Sequence, residues 1–375
     1  MRCFTLKHKL GIIGFGGMAN WHFENCPKTG CIEPAAVYDI DPERVKMGED
    51  KGVVGFHSLE EFLDSRLFDV VLVATPNNFH HDLSVAALRA GYHVICEKPV
   101  TMTVEELKDV FRVADACGKL FTVHQNRRWD ADFNIVRKAI ETGMVGKPYT
   151  IESCVHGSGG VVHGWREYKV AGGGMLYDWG IHLIDQILYM MGEEKVTDVF
   201  CHFNSIRTPE VDDYFKLILT FANHLDVQIE VGTYCLKAKP RWYVNGTEGS
   251  LILEDWDCHG SVILLPDGDG VGAGGRADQG RPDPHHGAPP EGDAGGTASA
   301  RVGAGLRVGE FLSQRLRRDR RHRGADCPPR SDASGYAGGG GRLPFGRSRT
   351  FCPGRDLKKR LLGQGGCRPS CPFRL

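Results

Sequence analysis

The stretch Leu10-Gly-Ile-Ile-Gly-Phe-Gly-Gly-Met-Ala19 decides how the first third of this chain folds. Its first four residues are typical of a short buried strand, and the segment from Gly17 to Cys26 can form a helix. Gly14 permits a tight turn between the two, Gly16 lets a ligand approach the backbone, and the final alanine allows helix and strand to pack closely. In this context the turn predicts a dinucleotide site with the pyrophosphate at the helix N-terminus. On its own, the same pattern also fits a turn that binds nothing.

The carboxylate of Asp39 bears on which dinucleotide is preferred. The next predicted strand, Pro34 to Tyr38, places Asp39 25 residues after Gly14, where it can hold both ribose hydroxyls. A 2′-phosphate would meet like charge there, so we predict NAD as the cofactor. Asp41 can cap the following helix, which leaves Asp39 available to a ligand. Arg44 could serve a 2′-phosphate, so NADP stays possible.

Strands and helices continue to alternate through the first third of the chain. The predicted strands Asp69 to Ala74, His93 to Cys96 and Leu120 to Val123 are separated by helical segments. This order predicts a parallel sheet with helices on both faces and with ligands at the carboxyl ends of its strands. The predicted cofactor contacts are Gly14, Phe15, Gly16, Gly17, Met18, Ala19, Asp39, Thr75, Pro76, Asn77, His80, Glu97, Lys98 and Asn126.

Lys98 lies between Glu97 and Pro99, directly after a predicted apolar strand. At that position its ammonium group can hydrogen-bond a reacting hydroxyl or a nicotinamide carboxamide, and so stabilise charge that develops on oxygen. The other interpretation is a surface lysine paired with Glu97, which is the usual state of an isolated lysine. The position of Lys98 at the predicted crevice favours the first interpretation.

Asp178 and His182 lie on a second predicted element that can carry chemistry. Gly172-Gly-Gly174 leads into an apolar-rich run from Met175 to Met191, which predicts a helix. Asp178 and His182 are four residues apart and would share a face of it. A carboxylate there can orient the imidazole while the ring takes a proton from an alcohol. A structural hydrogen bond or a surface ion pair is the commoner use of such a pair. Gly180 between them is costly in a helix, which indicates a close approach to the backbone.

Composition argues against several classes of function. The net charge of -1 favours neither nucleic acid nor an acidic membrane surface as a partner. The thirteen cysteines form no Cys-x-x-Cys pair, and the adjacent histidines at 80–81 and 285–286 have no third ligand at usable spacing, so we predict no metal site. No run approaches eighteen apolar residues, and residues 1–9 lack the apolar core of a secretory signal. We therefore expect a cytoplasmic protein with no membrane partner.

The last 109 residues differ in kind from the rest. They hold 24 of the 49 glycines and 18 arginines, but only two lysines and no Ile, Asn, Trp or Met. Such a segment cannot bury enough apolar surface to offset the entropy of ordering it, so we predict disorder over residues 267–375. The composition also resembles a GC-rich coding sequence translated in the wrong frame. Sequencing the gene around codon 266 tests that hypothesis.

Four motifs together resemble those of the Gfo/Idh/MocA oxidoreductases, and the resemblance runs from about Lys9 to Leu265. They are Gly14-Phe-Gly-Gly-Met-Ala19, Ala74-Thr-Pro-Asn-Asn-Phe-His80, Glu97-Lys-Pro99 and Gly172-Gly-Gly-Met-Leu-Tyr-Asp-Trp-Gly-Ile-His182. The resemblance implies an α/β Rossmann domain followed by an α+β domain whose open antiparallel sheet often forms the subunit interface. We therefore expect a homo-oligomer. The expected domains are 1–126 for NAD(P) binding, 127–266 as an incomplete substrate and oligomerisation domain, and 267–375 as a disordered or frameshifted tail.

The resemblance also assigns roles to residues of the chain. Lys98, Asp178 and His182 occupy the family's catalytic lysine, aspartate and histidine positions. The implied reaction is hydride transfer between a nicotinamide cofactor and a sugar, inositol or related polyol, with His182 as the base and Asp178 as its partner. The implied substrate contacts are Lys98, Arg127, Trp165, Asp178 and His182. An NAD-dependent glycosidase of the same family and an inactive, truncated NAD-binding protein are the two alternatives.

Overall fold

The first half of the chain folds around a six-stranded parallel sheet. The computed structural model describes residues 7–160, 164–265 and 299–300. The strands of the first sheet lie in the order β3-β2-β1-β4-β5-β6, and each adjacent pair is parallel. They are β1 His8–Ile13, β2 Ile32–Tyr38, β3 Val54–Phe56, β4 Val70–Val73, β5 His93–Cys96 and β6 Phe121–Val123. The predicted parallel sheet is confirmed, with the three-residue β3 as an edge strand that the sequence analysis did not predict.

Helices pack against this sheet, and hydrogen bonds from capping side chains fix where some of them begin. Asp41 accepts from the amide of Glu43 at 3.0 Å and so caps α2, and Thr103 and Glu106 form a reciprocal capping box on α5. In the described part of the chain the α-helices are α1 Gly17–Asn25, α2 Pro42–Asp50, α3 Leu59–Asp64, α4 His80–Arg89, α5 Val104–Cys117, α6 Ala131–Glu141 and α7 Ile181–Met191. Short 3₁₀ turns lie at Cys26–Thr29, Asn77–Phe79, Asn126–Trp129, Trp165–Glu167 and Lys169–Ala171.

The second sheet is mixed, which corrects the expected antiparallel sheet. Its order is β14-β13-β12-β11-β7-β10-β9-β8, and every adjacent pair is antiparallel except β7 and β10, which run parallel at the centre. A parallel pair needs a long crossover, and the chain supplies one through α7 and two strands. The strands are β7 Pro148–His156, β8 Val196–Asn204, β9 Tyr214–Phe221, β10 Asp226–Gly232, β11 Trp242–Gly246, β12 Gly249–Leu253, β13 Gly260–Leu264 and β14 Ser299–Ala300.

One face of the second sheet packs on α6 and α7. Along β9 the side chains alternate, with Phe215, Leu217, Leu219 and Phe221 almost fully buried. They share an apolar core with residues of the two helices. Burial of a large apolar side chain is worth roughly 1.5–3 kcal/mol, so this core holds α7 firmly against the sheet.

The segment that carries Asp178 departs from the predicted single helix. Residues Leu176–Gly180 form one turn of π-helix, and the α-helix α7 begins only at Ile181. Single π turns inside helices are frequent at functional sites. A Cβ on Gly180 would lie 2.7 Å from Cζ of Phe215, so the close approach that this glycine indicated is made by a core aromatic ring.

Apart from the two residues of β14, the predicted tail 267–375 lies outside the described residues. Within the described part of the chain, no helix combines the length and apolar character needed to cross a bilayer.

Asp212 fixes the start of the π turn, and its protonation should affect stability. Its Oδ2 accepts from the amide of Leu176 at 2.8 Å, and burial raises the pKa of Asp212 to about 6. The folded chain therefore holds this proton more tightly than the unfolded chain, so the contribution of Asp212 to stability falls as pH rises between about 4 and 6. Between pH 4.5 and 7 we expect wild type to lose roughly 2 kcal/mol of stability through this group, and Asp212→Asn to lack that loss. Urea unfolding at pH 4.5 and 7 measures it, with exposed Asp198→Asn as the control. An equal pH dependence in wild type and Asp212→Asn would contradict this expectation.

Candidate active site

The glycine turn after β1 has the shape that a phosphate cradle needs. Gly14 has a φ of 84°, and a Cβ there would lie 2.7 Å from Cγ2 of Thr75. By contrast, a Cβ on Gly17 would meet nothing within 4 Å, so the backbone there is open to a ligand. No side chain caps α1, which leaves its first amides available to an anion. The residues present thus fit the pyrophosphate of a dinucleotide.

Asp39 lies at the end of β2, beside this turn. It is 5% exposed, and its Oδ2 accepts from the amide of Phe15 at 2.7 Å. Nη1 of Arg44 is 3.7 Å from the same carboxylate, with the arginine side chain half exposed. Asp39 therefore holds the glycine turn in place. Contact of Asp39 with a ribose remains a prediction. Arg44 is close enough to this carboxylate to contact a 2′-phosphate bound beside it.

Two of the predicted cofactor contacts turn out to join loops. His80 is 1% exposed, and its ring nitrogens lie 2.8 Å from the carbonyl oxygen of Pro99 and 2.9 Å from that of Thr75. Burial lowers the pKa of this imidazole. Asn77 is buried as well and donates to the carbonyl of Gly172 at 2.8 Å. Both side chains are committed within the protein, so they position the loops at the strand ends. Sequence spacing could place them at the crevice but could not show these partners.

Glu97 also has several partners within the protein. Its Oε1 lies 2.6 Å from Nε2 of His22 and 3.1 Å from Nδ1 of His124, and its Oε2 accepts from the amide of Lys98 at 3.2 Å. Burial raises the pKa of Glu97, but hydrogen bonds from His124 and His22 outweigh it and hold that pKa well below its usual range. The carboxylate is an anion that fixes the backbone of Lys98, and its contact with a cofactor remains a prediction. Sequence analysis placed His124 at the predicted crevice but did not predict its contact, or that of His22, with Glu97.

Lys98 and Asp178 meet although 80 residues separate them. Nζ of Lys98 donates to Oδ1 of Asp178 at 2.8 Å and lies 3.3 Å from its carbonyl oxygen. Nε of Arg166 is 3.8 Å from the same Oδ1. Both side chains of the Lys98–Asp178 pair are largely buried, at 14% and 17% exposure, so solvent screens their attraction only weakly.

The predicted pairing of Asp178 with His182 is not formed. His182 is 5% exposed, and its Nδ1 has no hydrogen-bond partner among the described residues. The π turn explains the difference, because it changes the rotation per residue between the two positions and turns the carboxylate toward Lys98. Burial, reinforced by the positive charges of Lys98 and Arg127, lowers the pKa of His182 well below 6.5. The imidazole is therefore neutral at pH 7 and able to accept a proton.

A cavity of about 410 Å³ opens next to this group. The guanidinium of Arg127 lies over two neighbouring aromatic rings, 4.1 Å from the centroid of Trp179 and 5.5 Å from that of Trp256. Trp179 also contacts the ring of His182, with centroids 6.2 Å apart. The cavity is lined by Arg127, Val155, His156, Gly157, Gly160, Trp179, Val231, Gly232, Thr233 and Trp256. An apolar cavity with a few polar groups beside a titratable residue is the usual form of a small-molecule site.

Two further predicted site residues, Trp165 and Asn126, do not line this cavity. Trp165 packs against the guanidinium of Arg166, at 4.4 Å, and does not line the cavity. Asn126 is half-buried at the start of a 3₁₀ turn that also carries Arg127. Sequence analysis missed Trp179 and Trp256 as cavity residues. The first was visible only as part of the Asp178–His182 motif, and the second had no local signal.

Comparison with known proteins agrees with this architecture. The model of the oxidoreductase family with an NAD-binding Rossmann fold matches residues 8–125, and that of the GFO/IDH/MocA C-terminal domain matches residues 133–252. The chain belongs to the Gfo/Idh/MocA oxidoreductase family. The resemblance inferred from the four motifs is thereby confirmed.

Three proteins are 32–43% identical to the chain over the parts that align. It is 35% identical to the scyllo-inositol 2-dehydrogenase (NADP(+)) of Bacillus subtilis, over 65% of the chain and 68% of that enzyme. It is 32% identical to an uncharacterized oxidoreductase of Schizosaccharomyces pombe, over 59% of the chain and 63% of that protein. A solved NAD-binding protein from Listeria innocua is 43% identical with a TM-score of 0.67, over 69% of the chain and 76% of that structure. The matched part thus spans roughly two thirds of these curated relatives.

Proposed function

We propose that the chain is an NAD(P)-dependent dehydrogenase that oxidises a secondary hydroxyl of a sugar, inositol or related polyol. The main supporting observations are the buried ion pair of Lys98 with Asp178 after β5, and the buried His182, whose ring contacts Trp179 in the wall of the cavity. A bound nicotinamide coenzyme would supply the hydride acceptor. Gly14 to Gly17 and the N-terminus of α1 would hold its pyrophosphate, and Asp39 its ribose.

The residues of the chain have distinct tasks in this proposal. The neutral imidazole of His182 accepts the proton of the substrate hydroxyl as the carbonyl forms. The ammonium of Lys98 donates a hydrogen bond to the same oxygen and stabilises the negative charge that develops there. Asp178 holds Lys98 in place through the 2.8 Å contact. In the reverse direction the same groups return the proton to the new hydroxyl.

The cavity supports a polyol as the substrate class. Aromatic rings pack against the C–H faces of a sugar or cyclitol, while Arg127, His156 and Thr233 offer hydrogen-bonding groups for hydroxyls. The relative from Bacillus subtilis, named as an inositol dehydrogenase, fits this class. The proposed substrate-binding residues are Lys98, Arg127 and His182. Trp165 would contact a substrate at most from the edge of the cavity.

The direct test is an assay of purified full-length chain with NAD or NADP against a panel of inositols and aldoses. Growth of NADH or NADPH absorbance with at least one polyol is expected. Release of nitrophenol from a nitrophenyl glycoside with no net reduction of coenzyme would instead indicate the glycosidase of the same family. Coenzyme binding with neither reaction across the panel would indicate a non-catalytic protein.

The charge next to His182 predicts a shift in the pH profile. Because Arg127 helps to lower the pKa of His182, Arg127→Gln should raise that pKa. The base must be neutral to act, so the acid limb of kcat should move to higher pH in this variant. A pH profile of kcat at saturating substrate measures the shift. Arg112→Gln, on the exposed surface of α5, is the control. A limb that stays in place or moves to lower pH would contradict His182 as the base.

We also propose that the outer face of the second sheet joins two copies of the chain. Phe200 is 60% exposed on β8, and Tyr243 and Ile263 are exposed on β11 and β13. Exposed apolar side chains on a broad sheet face are typical of an interface. Sedimentation equilibrium should give twice the chain mass or a higher multiple, and Phe200→Lys should weaken the assembly. A monomer at all concentrations would contradict the proposal.

A further inference from the structure

His22, Glu97 and His124 form a cluster of potential metal ligands. His22 lies on α1, Glu97 follows β5, and His124 follows β6, so three separate elements contribute one side chain each. Nε2 of His22, a carboxylate oxygen of Glu97 and Nδ1 of His124 all lie within 4.8 Å of one another. This arrangement arises only in the folded chain, because 75 and 27 residues separate Glu97 from the two histidines.

The ligand atoms are spaced almost as a metal ion needs them. Oε1 of Glu97 is now 2.6 Å from the nitrogen of His22 and 3.1 Å from that of His124. Around a tetrahedral Zn²⁺, bonds of about 2.0–2.2 Å place neighbouring ligand atoms about 3.4 Å apart. Movements of under about 1 Å, within the reach of side-chain rotation, would convert the two hydrogen bonds into metal bonds.

The electrostatics and the access also favour a cation. Glu97 is held as an anion by its partners, and it lies in a buried position where a dication is attracted with little screening. The side chain of His124 is a quarter exposed, so a metal ion can reach the cluster from solvent on that side. The ring of Trp21 stands beside both imidazoles, with centroids 5.3 Å and 6.2 Å away, and restricts how far they can turn.

We propose that His22, Glu97 and His124 bind one Zn²⁺ per chain, with a water in the fourth position. Two imidazoles and a carboxylate are a common ligand set for this ion. Each imidazole must present an unprotonated nitrogen to the metal, so affinity should fall as pH is lowered. Zinc binding by this cluster is measured with neither coenzyme nor polyol present.

The test is calorimetric titration of the metal-free, untagged full-length chain with ZnCl₂. The expected result is one site per chain of micromolar or tighter affinity. His124→Asn and Glu97→Gln should each weaken it by more than the roughly 10- to 100-fold that loss of an outer partner of a ligand costs. His259→Asn, which removes an exposed histidine that pairs with Asp255, is the matched control and should bind like wild type.

A further variant separates loss of a ligand from loss of the fold. Cysteine is itself a zinc ligand, so His124→Cys should retain the site where His124→Asn loses it. Co²⁺ in the wild-type chain should give the visible absorption of a four-coordinate complex, with sulfur charge transfer added in His124→Cys. Either of two results would overturn the proposal. The first is no zinc binding at micromolar concentration; the second is binding of equal strength in wild type, His124→Asn and Glu97→Gln.

Discussion

Lys98→Met should lower kcat for polyol oxidation by about 10²- to 10³-fold, the usual effect of removing one group that stabilises developing charge on oxygen. The ammonium of Lys98 is largely buried and 2.8 Å from Oδ1 of Asp178, so water cannot replace it at the same place. Methionine keeps the length and apolar stem of the side chain. Initial rates with saturating coenzyme and substrate measure the change.

The comparison variant for this prediction is Lys108→Met. Lys108 lies exposed on α5, 3.8 Å from Glu105, and should tolerate the same substitution with an unchanged rate. Equal kcat values for Lys98→Met and Lys108→Met would show that Lys98 takes no part in the reaction. A loss of coenzyme affinity in Lys98→Met with kcat preserved would make it a binding residue only.

His182→Gln should lower kcat by about 10²- to 10⁴-fold, the usual contribution of a positioned general base. Its imidazole is buried, neutral and without a partner at Nδ1, so it is available to take a proton. Glutamine keeps hydrogen-bonding capacity but has no basic nitrogen. Coenzyme affinity, followed by quenching of protein fluorescence, should stay within about twofold of wild type.

An exposed histidine provides the control for this second prediction. His8 is exposed at the first residue of β1, at the end of that strand away from the glycine turn, and His8→Gln should leave both the rate and the affinity unchanged. If coenzyme binds to His182→Gln and the rate equals that of wild type, the chain does not use this imidazole. The non-catalytic interpretation would then gain support.

The first sheet could be predicted from sequence because its determinants are local. Each strand is a short apolar run, and caps such as Asp41 and the Thr103–Glu106 box mark the helix starts. The strand β3 was missed because three residues carry too little periodicity. In the second sheet the alternation along β9 was readable, but the parallel pairing of β7 with β10 was not, because pairing across 70 residues or more leaves no local pattern.

The candidate site divides in the same way. Motifs and spacing identified Lys98, Asp178 and His182, yet they assigned Asp178 to the wrong partner, since a π turn has no sequence signature of its own. The contacts of Glu97 with His22 and His124 could not be predicted from the sequence either, because they join three elements that only the fold brings together. Types of residue were thus predictable, while their partners depended on tertiary packing.

The proposed reaction moves a hydride from a carbinol carbon of the substrate to a nicotinamide ring. The most direct measurement uses a polyol deuterated at its carbinol carbons, with mass spectrometry of the coenzyme after one turnover. We expect one deuterium in the reduced coenzyme formed by wild type, and almost no deuterated coenzyme formed by His182→Gln in the same time. If the coenzyme binds but acquires no deuterium from any polyol of the panel, the chain does not carry out this hydride transfer.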